Sequence, residues 1–76
     1  MNCLLVFTLS PIGYDYKTLR ALERFNQFAM IDYSIAGFIQ FKLHCFDFDC
    51  PTDEQLNKAF KQYGRVITVE RFKVSN

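Results

Sequence analysis

Seventy-six residues bound the chain to one small domain, and half of them are hydrophobic, with nine Phe and four Tyr. A domain of this size buries only about 60% of its unfolded surface, so its stability needs a rich core, and rings that do not fit inside finish at interfaces. A net charge of +1, from nine basic and eight acidic residues, excludes a protein whose affinity rests on neutralising many phosphates, and it is not acidic enough for a nucleic-acid mimic.

The run Cys3-Leu4-Leu5-Val6-Phe7-Thr8-Leu9 reads as a first strand, closed by Ser10-Pro11-Ile12-Gly13. The opening segment lacks a basic n-region, and Pro11 and Gly13 interrupt it well short of the roughly 18 apolar residues a membrane span needs, so neither a signal peptide nor a span is expected. From Asp15, a candidate N-cap, the pattern turns helical. Leu19, Leu22 and Phe25 recur three apart, while Lys17, Arg20 and Arg24 fall on the other side, and the helix is expected to end near Asn26 or Gln27, with an extension through Phe28 and Ala29 left open.

Met30 to Ile35 is expected as a second strand and Ala36-Gly37 as the reversal into a third. In Gly37-Phe38-Ile39-Gln40-Phe41-Lys42-Leu43-His44-Cys45-Phe46 the two faces differ sharply, because successive strand side chains point to opposite sides. Ile39, Phe41, Leu43 and Cys45 suit a core, whereas Phe38, Gln40, Lys42 and His44 suit contact with a partner.

Beyond Asp47-Phe48-Asp49-Cys50, the sequence Pro51-Thr52-Asp53-Glu54-Gln55 starts a second helix. Thr52 and Gln55 form a capping box, and Asp53 and Glu54 favour the positive end of the helix dipole. Leu56, Ala59, Phe60 and Tyr63 form its apolar stripe, and Gly64 is expected to stop it in a left-handed conformation. Arg65 to Val74 completes the pattern as a final strand.

The order β-α-β-β-α-β predicts an α+β, ferredoxin-like domain spanning residues 1–76: a four-stranded antiparallel sheet with two helices on one face and the other face open. Alternation puts Cys3, Leu5, Phe7, Leu9, Ile31, Tyr33, Ile39, Phe41 and Leu43 against the helices, with Ile67 and Val69. Leu4, Val6, Thr8, Met30, Asp32, Phe38, Gln40, Lys42, His44, Thr68, Glu70 and Phe72 then line the open face, although a one-residue bulge would exchange a strand's two sets.

Phe38, Gln40, Lys42, His44 and Phe72 are accordingly the candidate partner-binding residues. Packing against a second copy is favoured over the stacking of RNA bases, since Ala36-Gly37-Phe38-Ile39-Gln40-Phe41 lacks the basic residue that precedes an RNP1 motif. Lys17, Arg20, Arg24, Lys58 and Lys61 are candidate phosphate contacts, but solvated faces of amphipathic helices are the plainer reading. Asp47 and Asp49 could share a hard cation, yet two carboxylates without a third oxygen donor better fit a solvated loop.

Cys3, Cys45 and Cys50 are odd in number and lack C-x-x-C spacing, which suits reduced thiols in a cytosolic protein better than a disulfide or a metal site. His44 and Cys45 are strand neighbours on opposite faces, so they cannot act as base and nucleophile. No catalytic residue, metal or cofactor is assigned.

Two resemblances bear on function. Cys3 to Leu9, followed by Gly37-Phe38-Ile39-Gln40-Phe41-Lys42, is similar to the first motif of rolling-circle replication initiators and the strand after their histidine motif. The histidine positions are here Tyr33-Ser34-Ile35-Ala36, and no Tyr-x-x-Lys follows, which argues against a replication endonuclease. The chain's length, its element order and the run from Tyr16 through Leu19, Leu22 and Phe25 to Tyr33-Ser34 resemble the small dimeric proteins of the CRISPR adaptation-subunit and virulence-associated protein D type. That resemblance implies a dimer and contact with nucleic acid; the aspartate that its nucleases carry late in the first strand is replaced by Thr8 and Ser10.

The sequence therefore leads to a non-enzymatic binding module acting on a protein, with an inhibitor of a host defence or replication complex encoded by a phage or mobile element as one setting. A dimeric nucleic-acid-binding protein related to the adaptation subunits is the alternative, and a metal-dependent nuclease the second alternative.

Overall fold

The computed structural model describes residues 3–13, 15–27, 29–45 and 50–73. Its elements are β1 (Cys3–Pro11), α1 (Tyr16–Leu22), a 3-10 helix (Glu23–Gln27), β2 (Ala29–Asp32), β3 (Ile39–Cys45), α2 (Asp53–Phe60) and β4 (Gly64–Lys73). The expected cation pair Asp47 and Asp49 lies outside the described residues, as do Phe28, Phe46 and Val74.

The four strands form one antiparallel sheet in the order β2-β3-β1-β4. Since β1 and β2 each run antiparallel to β3, they are parallel to one another with β3 between them. Likewise β3 and β4 are parallel and β1 lies between them. The long connections through α1 and α2 are what such parallel pairs require.

Alternation holds in the two central strands. Leu5, Phe7, Leu9, Ile39, Phe41 and Cys45 are buried, and Leu22 of α1 with Leu56 and Phe60 of α2 close over Leu5, Phe7, Leu9, Ile39 and Phe41 in one cluster. Its centre is aromatic: the Phe7 and Phe41 rings stack 4.9 Å apart, Phe60 lies 5.2 Å from each, and Phe25 lies 5.0 Å from Phe60.

Helix α1 starts where expected, the Asp15 carboxylate accepting from the Thr18 N–H at 2.8 Å. It then tightens into a 3-10 helix rather than continuing as α-helix to Gln27. The apolar spacing accounts for this, because residues three apart stack in line when there are three residues per turn, which keeps Phe25 on the side of Leu19 and Leu22. Ala29, an open extension of that helix, instead begins β2.

Four further expectations are corrected. The second strand stops at Asp32, whose carboxylate accepts from the Ser34 N–H at 2.8 Å, so Tyr33 is exposed rather than in the core. The reversal that follows is a β-turn, with the Phe38 N–H donating to the Ile35 carbonyl at 3.1 Å and Gly37 at φ 79, so the third strand begins at Ile39 and leaves Phe38 just before it. Along β4, Thr8 pairs with Thr68 but Leu9 pairs with Val66, which leaves Ile67 as an extra, bulged residue. Ile67 is 40% exposed, and Val66 takes its place beside Val69 against the core.

Gly64 is the fourth. It is the first residue of β4 and has no left-handed backbone, because the chain leaves α2 through a turn in which the Tyr63 N–H donates to the Phe60 carbonyl at 2.9 Å. Glycine is required there by space: a Cβ would collide with the Ser10 carbonyl oxygen and lie 2.7 Å from the Pro11 Cα.

Candidate functional site: the open face of the sheet

The helices cover one side of the sheet, and the strand register orders the other into rows. The first row is Asp32, Gln40, Thr8, Thr68; the second is Met30, Lys42, Val6, Glu70; the third holds His44, Leu4 and Phe72. Residues aligned in this way on one face stand within contact distance of their row neighbours. Met30 is 69% and Phe72 48% exposed, while Leu4 and Val6 between the edges are half-buried. The surface is thus an apolar band with mixed charges: Lys42 and Glu70 flank Val6, and Asp32 stands at the β2 edge. The Ser34 hydrogen bonds, aided by the Lys42 charge, hold the Asp32 carboxyl below the ordinary aspartate range.

Of the partner-binding candidates, Gln40, Lys42 and His44 therefore follow one another along β3, and Phe72 stands across Leu4 from His44. Phe38 is half-buried in the turn before the strand and outside the rows. Strand alternation already assigned Leu4, Val6 and Met30 to this face; which residues of different strands stand side by side follows only from the register.

The basic residues of the helical layer make other contacts. Arg24 lies over the Phe25 and Tyr63 rings at 4.9 and 5.6 Å, and Arg20 lies 6.0 Å from the Tyr16 ring. Lys58 is in the last turn of α2, where a cation complements the helix dipole. Lys17 and Lys61 are exposed, Lys61 at the C-cap of α2.

Arg71, near the end of β4, has a structural part that spacing did not indicate. Its Nη2 donates to the Pro51 carbonyl at 2.8 Å and meets the Asp53 carboxylate at 2.7 Å, fastening the start of α2 to the sheet. An apolar cleft of about 410 Å³ is lined by core residues, Phe7, Phe41, Leu56 and Phe60 among them, and at its rim by Pro51, Gln55 and Ala59.

No helix among the described residues is long and apolar enough to cross a membrane. Compared with known proteins, the chain matches no family model, and no significant match is found among curated proteins or solved structures. The likeness to adaptation-subunit and virulence-associated proteins accordingly rests on the residues quoted for it.

Proposed function

We propose that the chain is a non-enzymatic binding module that docks the open face of its sheet onto another protein, and that the partner this face fits is a second copy of itself. The observation that carries the reading is the second row, Met30-Lys42-Val6-Glu70, in which opposite charges stand on either side of a central apolar residue. A two-fold axis along β1 sets Val6 against Val6, and it brings Lys42 over Glu70 of the second copy and Glu70 over its Lys42. Such self-complementarity is what a symmetric interface demands. The same operation sets Leu4 against Leu4, Phe72 over His44 and Gln40 over Thr68 of the second copy, while Met30, on the β2 edge, stands one strand beyond the contact.

The charge pattern weighs against the nucleic-acid alternative, because Asp32 and Glu70 share rows with Gln40 and Lys42 where a phosphate surface would carry one sign. The strand order, with β3 inserted between β1 and β2, supports reading the architecture as the ferredoxin-like split βαβ arrangement. A cytosolic setting belongs to the same proposal.

The charge pair supplies the test. By sedimentation velocity, Lys42→Glu and Glu70→Lys should each weaken self-association, since like charges then meet across the axis, and the double variant should restore it. Failure of the double variant to recover, together with a salt-dependent mobility shift of generic DNA or RNA, would replace this reading with the nucleic-acid one.

A further inference from the structure

The three cysteines, dispersed in sequence, meet in space. Cys3 and Cys45 stand directly opposite one another on β1 and β3, on one face of the sheet, and Arg71, two residues before the Lys73 that pairs with Cys3, holds the Pro51 carbonyl at 2.8 Å, which brings the neighbouring Cys50 to the same end, its thiol close to the other two. Cys45 is 1% exposed, whereas Cys3 and Cys50 are half-buried and within reach of a small reagent. No group of three or more His, Cys, Asp or Glu side chains among the described residues is arranged to hold a metal ion, the three thiols included. What the cluster offers is two accessible thiols in mutual contact.

We propose that Cys3 and Cys50 form a reversible disulfide couple, closed by a low-molecular-weight disulfide such as oxidised glutathione and opened by a dithiol. The thiolate of one cysteine attacks a sulfur of the oxidant, forming a mixed disulfide and expelling one thiolate. The second cysteine, deprotonated in turn, attacks the protein sulfur of that mixed disulfide and expels the other. The oxidant's S–S bond is broken, the Cys3–Cys50 bond is formed, and the two protons lost by the protein end on the two released thiols. Two electrons pass from the protein to the oxidant.

Neither thiol is tuned for speed. The Cys50 hydrogen bond raises the Cys3 pKa, burial raises that of Cys50, and Arg71 only partly opposes both. Few thiolates are present at neutral pH, so closure is slow there and accelerates as pH rises. Once formed, the bond ties the start of β1 to the residue before Pro51, whose carbonyl already accepts from Arg71. The entry to α2 is then held to the sheet both covalently and by hydrogen bonding.

The test uses the full reduced chain, incubated with oxidised glutathione at mildly alkaline pH, then alkylated and mapped by mass spectrometry without reduction. The expected product is a single chain lighter by two hydrogen atoms before labelling, with the peptides containing Cys3 and Cys50 joined and Cys45 alkylated only after unfolding. It melts at a higher temperature than the reduced chain and reverts with dithiothreitol. Cys45→Ala should keep the link, and Cys50→Ala should lose it. A bond to Cys45, a bond between two chains, or stable glutathione adducts on Cys3 and Cys50 without a link would overturn the proposal.

Discussion

Phe41 and Phe38 are three positions apart, yet they have opposite tasks. Phe41 is fully buried, stacked on Phe7 and met by Phe60, so Phe41→Ala removes the middle of the ring cluster and should cost about 3 to 5 kcal/mol. Phe38 is half-buried in a turn, and Phe38→Ala should cost about 1 kcal/mol through its smaller loss of apolar burial. Urea denaturation of both variants checks the difference; equal losses would mean that Phe38 belongs to the core. The buried member of this pair was legible in sequence, because the alternation of Ile39, Phe41, Leu43 and Cys45 depends only on local strand geometry. The approach of Cys50 to Cys3 and Cys45 was not legible, since it requires both the pairing of β1 with β3 and the path of the chain into α2.

Among the elements, α2 shows how local chemistry can define a boundary. Thr52 Oγ1 accepts from the Gln55 N–H at 3.1 Å and the Gln55 side chain accepts from the Thr52 N–H at 2.9 Å, the reciprocal box anticipated from these residues. Thr52→Ala should therefore lower stability by about 1 kcal/mol in chemical denaturation without changing the fold. An unaltered midpoint would assign the start of α2 to the Arg71 contacts with Pro51 and Asp53 instead. The far end of α2 was misread for a physical reason: Gly64 has the residue type of a helix stop, but its requirement arises from the backbone of β1 at Ser10 and Pro11. The bulge at Ile67 has the same origin, because the β-branched run of β4 has no period that marks which residue its partner strand will skip.

Among the described residues, the helices, the central strands and the rings of Phe7, Phe25, Phe41, Phe60 and Tyr63 build one core, and an ordered band of apolar and charged side chains lies on the opposite side of the sheet. The proposed pairing with a second copy rests on that band and on the placement of Lys42 and Glu70 on either side of Val6. The measurement that tests this most directly is the light-scattering mass of the chain across a concentration series reaching high micromolar. A rise from the 9.0 kDa of the monomer to twice that value is expected, with Phe72→Lys holding the mass at the monomer under the same conditions. A wild-type mass that stays at 9.0 kDa throughout the series would contradict it.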